Sequence, residues 1–178
     1  MEQATDFLTE SDTLAAILHD LDDQAWDRPT QFKGWTINDV LVHLHFWNRA
    51  ADQSLTDPDG FQDTMRSAIA ASAVSGMRAV ENAAVNERSS ELLAVWQGLY
   101  RDMDSRWALL DPKQRVKWVG PEMSVRSSMT ARQMETWAHG HEIFDLLGKK
   151  RQDTDRICNI VVLGVKTFGW TFKVHGMA

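Results

Sequence analysis

The residues best suited to chemistry lie in the stretch 132–145, which reads RQMETWAHGHEIFD. Glu135 and His139 stand four positions apart, and at about 100° per residue this spacing puts them within about 40° of each other on one helix face. Glu142 follows on the same face, two turns after Glu135. Small or apolar residues share that face: Ala131, Ala138 and Leu146. Such neighbours indicate that the face points into the protein.

A buried carboxylate beside a buried imidazole needs compensation, because an isolated charge in a protein interior is costly. Three arrangements supply it: a shifted pKa, a hydrogen-bonded pair, or a bound cation. A carboxylate and a neutral imidazole together bind Zn²⁺ or a similar divalent ion, but two ligands hold it weakly, so a third must come from elsewhere. His43 is the candidate for that third ligand. The spacing alone leaves open the simpler alternative, in which Glu135 only hydrogen-bonds a core histidine.

Composition and charge exclude several classes of function. The chain has 178 residues, 43% of them hydrophobic, which predicts one domain with a sizeable core. A net charge of −6 without a run of Lys or Arg argues against a nucleic-acid partner. The acidic start and the absence of a long apolar stretch predict neither a signal peptide nor a membrane span, so we expect a cytoplasmic protein. The single cysteine, Cys158, fits a reducing compartment and is interpreted as core packing rather than a reactive thiol.

A helix that precedes the ligand-bearing stretch carries His43. Apolar residues at helical spacing predict a first helix over 5–24 and a second that begins after Thr36, which forms a capping box with Asp39. On the second helix, His43 falls on the apolar face and His45 on the polar face. We therefore expect His43 to point inward and His45 to point outward.

The remaining periodic segments complete a helical fold. The predicted ranges are 57–85 with a break at Gly76, 89–110, 130–147 and 154–168. Thr130 and Gln133 form a second capping box, and Gly148 marks the end of the helix that they begin. The segment 111–129 is predicted to be a long loop, of the length usually associated with function. The fold class is therefore all-α, an antiparallel four-helix bundle with additional short helices.

The end of the chain shows a different pattern. Trp170, Phe172 and Val174 alternate with polar residues, which predicts a strand in the tail 169–178 after a bundle domain over 1–168. An uncovered apolar row of this kind would be a sticky edge. We expect the tail to fold back on the bundle or to pair with another chain, as in a homodimer.

Two motifs resemble those of a known family. The segments GWTINDVLVH, residues 34–43, and RQMETWAHGHE, residues 132–142, resemble the two metal-site motifs of the DinB/YfiT-like superfamily, in the branch of the mycothiol-dependent maleylpyruvate isomerase N-terminal domain. The segment KWVGPEMS before METWAHG is similar to an actinobacterial group of uncharacterised metal-binding proteins. The resemblance covers nearly the whole chain. It implies that His43, Glu135 and His139 bind zinc, or another divalent metal such as Ni²⁺, Mn²⁺ or Fe²⁺.

The resemblance also implies an activity. Characterised members include metal-dependent transferases and isomerases that use mycothiol, bacillithiol or glutathione, so a small-molecule thiol and an electrophilic substrate are the expected partners. Three protein ligands leave a tetrahedral ion one open position, which could take a thiolate or a water activated by Glu142. Proteins of the group resembled carry a further C-terminal domain, and this sequence ends where that domain would begin.

Two other functional interpretations stay open. One is a non-catalytic module that binds or senses a metal or small ligand, and the other is an inert bundle with a hydrogen-bonded buried triad. In the catalytic interpretation, Glu142 and Arg132 are the candidate catalytic residues, and Glu142 has the alternative role of a hydrogen-bond partner of the ligands. The candidate substrate-binding residues at the entrance are Trp118, Met123 and Arg126, with Ser124 beside them. The tryptophans interpreted as core are Trp35, Trp47, Trp96 and Trp137.

Overall fold

The computed structural model describes residues 1–177, and within them it shows seven α-helices and one two-stranded antiparallel ladder. The helices are α1 (Glu2–Leu18), α2 (Ile37–Thr56), α3 (Pro58–Ser75), α4 (Met77–Ala84), α5 (Ser89–Trp107), α6 (Val125–Leu146) and α7 (Cys158–Val174). The strands are β1 (Arg115–Val116) and β2 (Met123–Ser124). Helices α1 and α2 each contact both α5 and α6, so these four form the bundle, and α3 and α4 pack on α2. The all-α prediction is confirmed.

Large aromatic side chains fill the centre of the bundle. Trp96, Tyr100 and Trp107 from α5 are fully buried, as are Phe7 from α1 and Trp26 from the turn after it. Fully burying a large apolar side chain contributes about 1.5–3 kcal/mol. Helix α5 therefore anchors the bundle, and the assignment of Trp96 to the core is confirmed.

Helix boundaries follow local capping chemistry at several of the predicted positions. The Thr36 side chain accepts a hydrogen bond from the Asp39 amide, and the Asp39 carboxylate accepts one from the Thr36 amide, which confirms the capping box of α2. Gly76 has φ +80 between α3 and α4, a left-handed conformation that glycine adopts without steric cost. Gly148, with φ +61, ends α6 as predicted.

The start of α6 was predicted too late. Ser124, not Thr130, caps the helix, because the Ser124 hydroxyl accepts a hydrogen bond from the amide of Ser127. Thr130 lies one turn inside the helix and its hydroxyl donates to the carbonyl of Arg126. The short β1–β2 ladder ends at Ser124, where α6 begins, so the segment 111–129 is a hairpin followed by a helical turn rather than a continuous loop. The first predicted helix also ends earlier, at Leu18 instead of residue 24.

The outward orientation predicted for His45 is wrong. His45 is 6% exposed, and its Nδ1 is buried without a hydrogen-bond partner in the described residues. Helix α2 contacts α3, α4, α5 and α6, so part of its polar wheel face, with Asn38 and His45, is buried together with its apolar one. Burial lowers the pKa of His45 to about 4, and the positive charge of Arg49 acts in the same direction.

A buried ion-pair cluster fixes the connection that follows α6. The carboxylate of Glu10 in α1 is fully buried and pairs with both Arg151 and Arg156. The two arginines belong to the segment between α6 and α7, so the cluster ties this segment to the first helix of the bundle. Two guanidinium groups on one carboxylate satisfy a charge that would otherwise be costly to bury.

Helix α7 differs from the rest of the chain. It continues to Val174, so the strand predicted from the alternation in the tail is wrong, and none of its residues is buried. Cys158, at its start, is exposed, which overturns the interpretation of this residue as core. Large apolar side chains of α7 face solvent: Val161, Val162, Val165, Phe168, Trp170, Phe172 and Val174. The helical segment Asp155–Val174 is long and apolar enough to cross a membrane by length and composition, which corrects the expectation that no such stretch exists, although one helix of this kind does not establish a span.

Candidate metal centre

The three predicted ligands converge on one point between α2 and α6. The Nε2 atom of His43 lies 3.3 Å from Oε2 of Glu135, and Nε2 of His139 lies 3.4 Å from the same oxygen. All three donor atoms lie within 4.8 Å of one another. Glu135 and His139 are one turn apart on α6, as their spacing predicted, and α2 packs against α6 so that His43 faces them. Each of the three is partly buried.

The donor set has the chemistry and the spacing that a divalent metal requires. Two imidazole nitrogens and one carboxylate oxygen are ligands that zinc accepts, and two donors of a tetrahedral zinc ion lie about 3.4 Å apart when each bond is about 2.0–2.1 Å. The separations of the two histidine nitrogens from Oε2 of Glu135, 3.3 and 3.4 Å, match this edge length. The residues present therefore fit the metal that the sequence motifs imply.

Electrostatics holds Glu135 in its anionic form. Burial raises the pKa of this carboxyl group, but hydrogen bonds with His139 and His43 and the charge of Arg132 outweigh burial and leave the pKa well below its usual range. For His43, burial lowers the pKa, and the hydrogen bonds with Glu135 and Glu81 reverse that effect and raise it overall. A permanently ionised carboxylate is the form that a metal ion binds.

Glu81 is a part of the site that sequence reasoning missed. Its side chain is 1% exposed, and its Oε1 lies 2.9 Å from Nδ1 of His43 and 2.7 Å from Nε1 of Trp47. A carboxylate that accepts from Nδ1 keeps a proton on that nitrogen, so Nε2, the atom that faces Glu135, is the nitrogen that can give up its proton and present a lone pair to a metal ion. The signal was present, because Glu81 follows Met77 by four residues and so shares its apolar face, the criterion that had singled out Glu135.

Aromatic side chains pack around the ligands. The indole of Trp35 stacks on the ring of His139 with centroids 5.8 Å apart, and the ring of Phe32 meets the same imidazole edge-on at 5.1 Å. Trp47 lies beside His43 and donates to Glu81. Trp35 and Trp47 are partly buried and pack against the core, and they also form part of the walls of the site.

The ligands face a cavity of about 600 Å³. This volume lies within the range of small-molecule sites in proteins, about 300–1,000 Å³. Helix α7 forms part of its wall through Leu163 and Thr167. Trp137, the fourth tryptophan interpreted as core, is instead half-buried outside the cavity and donates to Asp153.

The structure separates the other predicted site residues into two groups. Trp118, Met123 and Arg132 line the cavity, whereas Glu142 and Arg126 do not. Glu142 follows Glu135 by seven residues, which at 1.5 Å per residue places it about 10 Å further along the helix axis. Arg126 precedes Glu135 by nine residues, about half a turn out of phase, and it is exposed on the opposite side of α6.

These features define a class of protein: an all-α bundle with a two-histidine, one-carboxylate cluster at the base of an apolar cavity. The sequence profile of the mycothiol maleylpyruvate isomerase N-terminal domain matches residues 7–144, and the chain belongs to that family. The resemblance stated from the motifs is thereby confirmed.

Two curated relatives extend the comparison. Both are uncharacterized proteins of Mycobacterium tuberculosis, one from strain CDC 1551 and one from strain H37Rv, and each is 37% identical over 173 residues. The matched region covers 97% of this chain and 66% of each relative, so the chain spans about two thirds of the length of the curated relatives it matches. No solved structure matches the chain.

Proposed function

We propose that the protein binds one divalent metal ion, zinc in the first place, through His43, Glu135 and His139, and uses it in a transferase or isomerase reaction of a low-molecular-weight thiol. The observation that carries the proposal is the convergence of these three donor atoms within 4.8 Å at a cavity of small-molecule size. A cytoplasmic location, where such thiols are kept reduced, is part of the proposal.

The metal would supply one piece of chemistry: an open position at which a thiol loses its proton and is held as the thiolate. The protein's own residues do the rest. Glu81 holds the tautomer of His43, and Trp35 and Phe32 fix the ring plane of His139. The aromatic side chains around the ligands offer apolar surface to the electrophilic partner of the thiol.

The residues of the cavity favour a thiol over an activated water. Among those that line it in the described part of the chain, the carboxylates are Glu81 and Glu135, and both are already engaged by histidines. Glu142, the residue expected to act as a general base, lies outside the cavity. A metal-bound water keeps a pKa of about 7 and gains from a base, whereas a thiol is fully deprotonated by coordination to the metal and needs no base.

Cobalt substitution tests the proposal directly. Cobalt-loaded protein titrated with mycothiol, bacillithiol or glutathione should develop a sulfur-to-metal charge-transfer band with at least one of the three thiols. His139→Ala should lose the band, and Glu142→Gln should keep it. If no thiol produces a band in fully cobalt-loaded protein, the thiol half of the proposal is wrong.

The competing function is a module that binds a metal or small ligand without turnover. The lack of an unengaged carboxylate or histidine among the described cavity residues, other than the ligands themselves, favours this second function. Incubation of metal-loaded protein with a thiol and a panel of electrophiles separates the two. Thiol consumption that depends on His43 supports the enzyme, and a thiol band without consumption supports the binding module.

A further inference from the structure

The cavity contains a buried cation that makes no salt bridge and no side-chain hydrogen bond within the described residues. Arg132, at 5% exposure, lines the cavity, and its guanidinium group lies over the ring of Trp118 at 5.1 Å from the centroid. Its Nε atom is buried without a hydrogen-bond partner, and among residues 1–177 its guanidinium makes no salt bridge within 4.0 Å. The stacking on Trp118 offsets only part of the cost of burying this charge.

Elsewhere the protein pairs such groups. Arg151 and Arg156, whose side chains are 3% and 11% exposed, both bind the carboxylate of Glu10, and the partly buried Arg88 donates to Asn82 and to backbone carbonyls. The carboxylate nearest to Arg132 in sequence on its own helix is Glu135, one turn away, and it is engaged by His43 and His139. The unpaired state of Arg132 is therefore an exception within this molecule.

The surroundings of Arg132 resemble a site for the anionic end of an organic molecule. Its neighbours in the cavity include Trp118 and Met123, which offer apolar surface. The other cation at the cavity, Lys33, is exposed and so is compensated by water. A guanidinium group offers parallel N–H donors that match the two oxygens of a carboxylate.

We propose that Arg132 binds the carboxylate of a small organic acid whose apolar body lies against Trp118 and Met123. Arg132 and the three ligands line the same cavity, so a carboxylate held by Arg132 lies in the cavity that the triad faces. The inference rests on the proposed function in taking this acid as the electrophilic substrate, and it names the chemical class of that substrate. Arg132 is then a substrate-binding residue rather than an acid or base, because a guanidinium group does not give up its proton in proteins.

The test uses trans-cinnamate and its neutral amide, trans-cinnamamide, as probes on chelator-treated full-length protein. Tryptophan fluorescence should report binding, since the probe would contact Trp118. Cinnamate should bind the wild-type protein at least about tenfold more tightly than the amide. Arg132→Met should abolish that preference, whereas Arg126→Met, at an exposed position of the same helix outside the cavity, should preserve it. Arg132→Lys should retain part of it, because lysine keeps the charge but loses the paired donors.

Three results would overturn the inference: equal affinity of the wild-type protein for acid and amide, an unchanged preference in Arg132→Met, or a lost preference in Arg126→Met. The wild-type comparison holds even if Arg132→Met fails to fold. Metal content, measured on the same variants, separates this inference from the proposed function. If the protein prefers cinnamate but takes up no metal, the anion site is supported and the proposed metal site is wrong. If the protein binds metal but shows no preference for cinnamate, the metal site is supported and the anion site is wrong.

Discussion

Replacing Glu81 with glutamine probes how the fold prepares His43 for a metal. In the wild-type protein, one oxygen of Glu81 accepts from both His43 and Trp47, at 2.9 and 2.7 Å. The other oxygen, Oε2, is buried without a partner in the described residues. Glutamine fits the same space and can keep its carbonyl oxygen in the accepting position. The substitution therefore removes the negative charge behind His43 while leaving the two hydrogen bonds in place.

The expected magnitude follows from those contacts. Mutation of a residue that hydrogen-bonds a metal ligand typically weakens metal binding about 10–100-fold, or about 1.4–2.7 kcal/mol, and because Glu81→Gln keeps the hydrogen bonds and removes only the charge, we expect the lower end of that range. The glutamine amide would occupy the unpartnered position, so we expect an additional loss of about 1–3 kcal/mol in folding stability. Glu81→Leu is more severe, because it leaves the N–H groups of both His43 and Trp47 buried without an acceptor, at about 1–3 kcal/mol each.

The assay is zinc competition against a chromogenic chelator, with thermal unfolding of the chelated protein recorded in parallel. Glu81→Gln should show the weaker zinc affinity, and Glu91→Gln, an exposed carboxylate on α5, should match the wild type. If Glu81→Gln folds and binds zinc with the wild-type constant, the carboxylate does not prepare His43, and the argument from the Nδ1 contact is refuted.

Three further predictions concern the bundle itself. The pKa of His45 is about 4 in the folded chain against about 6.5 in the unfolded chain, so up to about 3 kcal/mol of the stability present above pH 6.5 is lost as the pH falls toward 4. His45→Gln should reduce this pH dependence in a series of denaturation curves, and a pH dependence equal to that of the wild type would contradict the prediction. Glu10→Gln leaves two buried arginines short of their counter-ion and should cost about 3–5 kcal/mol in urea unfolding, a loss below 1 kcal/mol being inconsistent with the cluster. Cys158 is exposed, so Cys158→Ser should change stability by about 0.5 kcal/mol or less, and the native thiol should react with a thiol reagent as fast as in unfolded protein.

Local chemistry made several features predictable from the sequence. The capping box of Thr36 and Asp39 and the left-handed Gly76 and Gly148 depend on neighbouring residues only, and all three boundaries are where the pattern placed them. The pairing of Glu135 with His139 is likewise set by helix periodicity. His43 was identified as the third candidate ligand from its apolar neighbours on α2 and from the motif resemblance.

Features that depend on tertiary contacts were not predictable in the same way. A helix wheel assumes one buried face, but α2 is enclosed by four other helices, and so the polar-face residue His45 is buried. The reverse holds for α7, whose apolar pattern indicated core although one side of the helix faces solvent. Glu81 needed the packing of α4 on α2 before its carboxylate could be assigned to His43.

The central claim is that His43, Glu135 and His139 bind one metal ion. The most direct measurement is the metal content of protein purified without an affinity tag, for the wild type and for alanine at each of the three positions. His19→Ala is the control, because His19 is exposed and His45 is not.

The wild type and His19→Ala should each hold about one divalent ion per chain, and each of the three ligand variants should lose it. Chelation should lower the melting temperature of the wild type, since a ligand at a thousandfold excess over its Kd stabilises the fold by about 4 kcal/mol. A wild-type protein that stays metal-free after incubation with zinc, or ligand variants that retain the metal as well as His19→Ala does, would contradict the claim.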